Sequence, residues 1–258
     1  MINGTGYSGH AETDLEDTMA DVTYAELMDD PVAAADFARY RAGIYRLASS
    51  VFMFDATEEG LAAQIAAAVS ADADSCVRPC EEVLYSYLRG FADCDLALLR
   101  TKVATEYAEL FVGPRPPLAP YYESVYLGAN PRLFADVTMR VRAEYKAQGF
   151  QVDKRNKVPD DHIGYELAFM AQLCEREAQA HEAGDADEVT AAQVAQDNFL
   201  AIHLGVWIGF LADRIASAWC ADYYEVWARF VQAFVEADKA FFASCADLPV
   251  STGKKQNA

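Results

Sequence analysis

Two short stretches of this 258-residue chain hold side chains of the types and spacing that acid–base or ligand chemistry uses. In "PDDHIGYE", Asp160 and Asp161 precede His162, and Glu166 follows one helical turn later. A His and a Glu four apart share a helix face, so they can hold a metal or pass a proton together. In "PYYESVY", Glu123 and Ser124 sit among Tyr121, Tyr122 and Tyr126, just after Pro114, Pro116, Pro117 and Pro120. Proline fixes the backbone and removes donors, so this run reads as a stiff, extended hinge. Flat rings with polar tips on such a hinge are either anchors for a bound peptide or rings packed back onto the protein. A third stretch, "HLGVW", places His203 four residues before Trp207 in an apolar run. There a hydrogen-bonded core histidine is commoner than a ligand.

The chemistry of hydrolases is not visible. The chain has no G-x-S-x-G, no H-E-x-x-H and no phosphate-binding Gly loop. It has four histidines, and its six cysteines form no C-x-x-C pair. Cys76 and Cys80 are four apart, with no neighbouring pair to complete a zinc set. His162 with Glu166 is too little for a centre, so no catalytic residue, metal or cofactor is expected. Forty acids against 21 bases give a net charge of −19, which disfavours nucleic acid as a partner. A cationic peptide or protein suits this charge, although solubility alone also explains it. Scattered thiols, charge-broken apolar stretches and the lack of a basic-then-apolar leader point to a soluble cytoplasmic protein without stable membrane insertion.

The elements that must position these residues read as helices throughout. Spacings of three, four and seven predict helices over Pro31–Phe54 (Phe37, Ile44, Leu47, Val51, Phe54), Glu58–Ser70, Pro79–Leu88 and Asp95–Phe111. The last carries a stripe of Leu96, Leu99, Val103, Tyr107 and Leu110 and stops at Gly113 and Pro114. Further helices are expected over Pro131–Gln148, from Pro159 to His181 with Asp160 and Asp161 in the first turn, over Glu188–Ala218, and over Tyr223–Ala243. For Glu188–Ala218 the expected core face is Val194, Phe199, Ile202, Trp207, Phe210 and Ile215. Gly164, Gly205 and Gly209 each cost a helix about 1 kcal/mol against Ala, which close packing or room for a ligand would explain. With no strand alternation, the fold expected is all-α, a single bundle of about eight to ten helices with the Pro-rich loop in mid-chain. Residues 1–30 form an acidic segment with a short helix near Tyr24–Met28, residues 31–246 the helical domain, and residues 247–258 a polar tail.

Three segments together resemble one family. "EYAELFVGPRPPLAPYYESVY", "VPDDHIGYELAFMAQLC" and "FLAIHLGVWIGFLADRI" are similar, in order and rough spacing, to the signatures of the TorD/DmsD chaperones of molybdenum oxidoreductases, to which NarJ is related. The resemblance covers about Ala35–Ala243. It implies an all-helical, non-enzymatic chaperone, monomeric or a domain-swapped dimer. Such a chaperone binds the twin-arginine signal peptide and the apo form of a DMSO-reductase-type catalytic subunit, assists cofactor insertion and delays export. Carried over residue by residue, it implies binding roles for Tyr122, Glu123, Ser124 and Tyr126 in the loop and for Asp161 and His162. The chain departs from the pattern where Tyr122 replaces a common Trp and Glu123 a common Gly.

On this reading Asp160, Asp161, Glu123 and Glu166 would meet the peptide's arginines. The loop tyrosines, with Tyr121 among them, Phe169 and Met170 would wall its apolar run, and His162 would charge near neutral pH. Exposed ion pairs contribute about 0.2–1 kcal/mol each and a buried Leu-sized side chain roughly 1.5–3, so the apolar run should supply most of the affinity. A nucleotide-hydrolysing enzyme and a NarJ-like assembly factor that ignores the leader remain the alternatives.

Overall fold

Apolar residues at helical spacing, punctuated by Pro, Gly and Asp, produce ten α-helices among the residues described by the computed structural model, namely 30–53, 56–71, 78–128, 136–152 and 158–246. They are α1 (Pro31–Met53), α2 (Glu58–Ser70), α3 (Pro79–Arg89), α4 (Leu96–Tyr107), α5 (Glu123–Leu127), α6 (Asp136–Ala147), α7 (Ile163–Ala183), α8 (Ala186–Ile202), α9 (Leu204–Ala216) and α10 (Tyr223–Ala246). The starts follow local chemistry. Thr57, Asp95 and Asp185 accept first-turn N–H groups of α2, α4 and α8, and Pro79 opens α3. α4 runs into a π-helical turn, Ala108–Val112, which ends at Gly113 with φ +49°. A Cβ there would lie 2.7 Å from the Arg115 carbonyl oxygen, so the chain leaves the helix at the one residue that can make the turn.

The fold is all-α; the only extended pairing among the described residues is a single antiparallel bridge between Tyr122 and His162. α1 lies antiparallel along α7: Arg39 pairs with Glu182 at one end, and Ser49 donates to the Gly164 carbonyl (2.7 Å) at the other. Between them Arg41 is fully buried. Its Nε donates to both Asp238 oxygens (3.1 Å each), its Nη1 to Glu177 (3.1 Å) and its Nη2 to Gln196 (2.7 Å). Tyr45 and Arg78 also donate to Asp238, so one carboxylate ties α1 and the start of α3 to α10. A second remote carboxylate, Glu106 on α4, accepts the N–H groups of Asp222, Tyr223 and Tyr224 and so caps α10 from outside.

Several expectations are corrected. Glu188–Ala218 is not one helix: the backbone at His203 leaves helical geometry (φ −123°, ψ −102°), and α8 and α9 meet at 45°. Phe199, Trp207 and Ile215 are buried, but Val194 and Ile202 lie on the outer side of α8 and Phe210 on the outer side of α9, each more than half exposed. Leu47 is likewise on the surface. α7 begins at Ile163, so Asp160 and Asp161 precede the helix rather than fill its first turn. Gly164 and Gly205 are packing glycines: a Cβ would lie 2.1 Å from Met53 Cγ at the first and 2.4 Å from the Leu200 carbonyl oxygen at the second. Phe54 and the helix near Tyr24–Met28 lie outside the described residues, as does the start of Pro131–Gln148. No described helix alone is long and apolar enough to cross a membrane; α8 and α9 together pass on length and composition, but with that bend between them.

Burial alone would raise the Asp238 carboxyl, but Arg41 and Arg78 outweigh it and hold it below its ordinary value. A depressed acid stabilises above its unfolded pKa, near 4, and loses that contribution as pH falls through the folded value. Asp238→Ala should therefore cost about 3–5 kcal/mol at pH 7 in urea unfolding, because it leaves Arg41 and Arg78 buried without their carboxylate. The gap to wild type should narrow below about pH 4.

Candidate functional site

The two stretches singled out first are joined in space. Glu123 N–H donates to the Asp161 carbonyl and Ile163 N–H to the Tyr121 carbonyl, both at 3.0 Å, which makes the Tyr122–His162 bridge. Asp161 extends the join: its Oδ2 accepts the Ser124 N–H (2.9 Å) and its Oδ1 the Thr138 hydroxyl (2.8 Å), linking α5 and α6 to the bend before α7. The Pro-rich segment is tied down separately. Ala119 N–H donates to the Leu110 carbonyl (2.9 Å), and Arg214 Nε donates to the Leu118 carbonyl (2.7 Å).

Beneath the loop sits a buried polar cluster. His203 Nδ1 lies 3.0 Å from both Glu123 oxygens. Trp207 Nε1 donates to Glu166 Oε2 (2.9 Å), while Glu166 Oε1 is buried without a donor. All four side chains are essentially inaccessible. Burial, then the adjacent Glu123 charge, raise the Glu166 carboxyl well above its ordinary value; protonated, it is a donor toward Glu123. The helix break at His203 turns this imidazole inward to the carboxylate.

The tyrosines divide their rings between protein and surface. Tyr121 stacks on Phe111 (4.9 Å) and lies 4.3 Å from the His162 ring; Tyr126 stacks on Trp207 (5.5 Å). Tyr121, Tyr122 and Tyr126 each stay partly exposed. At the α8–α9 bend three apolar side chains, Ile202, Val206 and Phe210, are exposed, and the last two share α9 with Trp207, on which Tyr126 stacks.

The structure thus brings every site residue expected from sequence into one neighbourhood, but it corrects the chemistry of the acids. Asp161 and Glu166 are fully buried, Glu123 and Asp160 nearly so, and each is engaged internally, Asp160 by Arg142 (2.8 Å). None presents a free charge to an arginine. Phe169 and Met170 are core residues, not groove walls. His162 does not titrate near neutrality: its Nδ1 accepts the Gly164 N–H (3.0 Å) as the cap of α7, and burial lowers its pKa to about 4. Sequence reasoning also missed that Glu123 and His203, eighty residues apart, are partners. The one signal available was that each is a polar residue in an apolar setting. Among the described residues no three His, Cys, Asp or Glu side chains gather as a metal-binding group.

The sequence profile of the nitrate reductase delta subunit family matches residues 79–213, just over half of the chain. Chaperone protein TorD of Vibrio cholerae is 27% identical over 207 residues, covering 77% of this chain and 90% of that one. TorD of Shewanella pealeana is 27% identical over 220 residues (79% and 90%). The Tat proofreading chaperone DmsD of Salmonella typhimurium is 32% identical over 71 residues, 28% of this chain and 35% of that one.

Two titrations separate the roles of the buried groups. A raised carboxyl stabilises fully below its unfolded pKa, near 4.5, and loses that contribution as pH rises toward its folded value. Gln at position 166 reproduces the protonated acid, accepting from Trp207 and donating to Glu123. Glu166→Gln should match wild type near pH 5 and gain on it by up to about 1.4 kcal/mol per pH unit above that, in urea unfolding across pH 5–9. His162 has the opposite sense: its lowered pKa means the unfolded chain binds the proton first, so wild type loses stability from pH 6.5 down to 4, by roughly 3 kcal/mol. His162→Asn keeps a cap acceptor without titrating and should remove that slope.

Proposed function

The chain belongs to the nitrate reductase delta subunit family, which takes in the TorD and DmsD chaperones, and from that premise we propose that it chaperones a DMSO-reductase-type molybdoenzyme. Its client is the apo catalytic subunit with its twin-arginine signal peptide, held in the cytoplasm until the cofactor is inserted. The protein binds and releases this client without chemical change.

The observation that carries this reading is the exposure of three apolar side chains at the α8–α9 bend, Ile202, Val206 and Phe210, on and next to the helix whose Trp207 holds the partly buried Tyr126 ring. Exposed apolar side chains near an anchored ring fit the apolar run of a leader. Tyr121, Tyr122 and Tyr126 are the contact residues. Glu123, Ser124, Asp160, Asp161, His162 and Glu166 act from beneath, holding those rings in place. The peptide's arginines then meet exposed acids such as Asp197 on α8, in a protein of net charge −19. Exposed acids of this kind set register and association rate more than affinity.

The family match by way of nitrate reductase delta subunits favours a second reading, an assembly factor that binds the catalytic subunit without needing its leader. Capture of the client with and without its leader separates the two. Calorimetry with a synthetic leader tests the first. Shortening the apolar run should weaken binding at least a hundredfold, and replacing both arginines by lysine less than tenfold. Phe210→Ser should cost tenfold or more while leaving the unfolding midpoint unchanged, since the ring is more than half exposed. The reverse ranking of the two peptides would overturn the scheme.

A further inference from the structure

The outer side of α9 carries charge as well as apolar surface. Val206, Phe210 and Arg214 follow one another at intervals of four on this one helix, so they share a face, and all three are exposed. Arg214 lies in the last turn and is tied to the neighbouring loop, its Nε donating to the Leu118 carbonyl (2.7 Å). It also reaches the ring that Trp207 holds: burial raises the Tyr126 hydroxyl, and the Arg214 charge opposes that rise. The adjacent acid does not cancel this charge. Asp213 pairs with Arg229 (2.8 Å), and among the described residues Arg214 forms no ion pair. Arg115, exposed and three residues before Leu118, lies within ~11 Å of it along the chain and adds a second cation on the loop side.

The other end of α9 is different. Lys239 Nζ lies 3.4 Å from the Gly205 carbonyl oxygen, but Glu236 accompanies it at 3.2 Å. Asp197, less than two turns before the bend, is exposed. The helix dipole runs against this gradient, with about half a negative charge at the C-terminal end. A full guanidinium charge in the last turn outweighs it.

We infer that α9 takes a leader in one direction only, its arginines toward the α8–α9 bend and the far end of its apolar run toward Arg214. Arg214 is then a specificity-determining residue. This rests on the leader reading given above. From Phe210 to Arg214 is about one turn, ~6 Å at ~1.5 Å per residue. A reversed leader would bring its arginines that close to a like charge, inside the screening length of about 8 Å at physiological salt. In the forward direction an apolar run covering Val206 and Phe210 leaves the arginines ~12 Å or more from Arg214, beyond that length.

Calorimetry of the full-length protein with synthetic twin-arginine leaders tests the direction. One pair of peptides carries Asp or Lys just after the apolar run, and a second pair carries Asp or Lys just before the arginines. On the wild-type protein the Asp peptide of the first pair should bind about fivefold tighter than its Lys counterpart. Arg214→Glu should invert that ranking and leave the ranking of the second pair unchanged. Loosening of the loop through the lost Leu118 contact would weaken all four peptides alike and invert nothing. Inversion in the second pair, alone or with the first, would overturn the direction while leaving the leader reading intact. So would rankings that ignore residue 214 in both pairs. A wild-type protein that binds no unmodified leader would remove the leader reading and this inference with it.

Discussion

The placement of one carboxylate, Glu123, governs the architecture around the loop. It enters from the first residue of a five-residue helix and ends essentially inaccessible against His203. A buried carboxylate must be met by donors, and the imidazole reaches it because α8 stops helical winding at residue 203. The break places α9 at 45° to α8, sets Trp207 against both Glu166 and Tyr126, and turns Ile202, Val206 and Phe210 outward.

This arrangement separates recognition into two depths. The buried acids have no free charge to offer a ligand; they fix backbone and rings. On the proposed reading a partner meets ring faces, exposed apolar side chains and solvated acids. Adhesion then scales with the apolar surface covered, while charge decides which of the protein's faces a given partner approaches.

Much of the fold was legible because helical periodicity is a local signal: in the stripe around Val103, Leu99, Val103 and Leu110 are buried and Leu96 and Tyr107 partly so. Gly113 as a stop and His203 as a hydrogen-bonded core residue were also readable from their neighbours. The join between the loop and the start of α7 was accessible only through the resemblance. What escaped depends on residues distant in sequence. Val194, Ile202 and Phe210 are apolar yet exposed, and the break at His203 brings that residue to Glu123, a partner eighty residues earlier. The acids read as surface charge since each sits near turn residues; their burial follows from Arg142, Thr138, Trp207 and His203, which spacing along the chain does not connect to them.

Glu106 adds a consequence of a different kind. Three N–H groups at the start of α10 have their acceptor on α4 rather than in the preceding turn. Separating the two helices strips those donors of any partner inside the protein, so neither end can fray by itself. α4 and the first turn of α10 should therefore behave as one cooperative unit in opening fluctuations, binding the middle of the chain to its last helix although more than a hundred residues separate them.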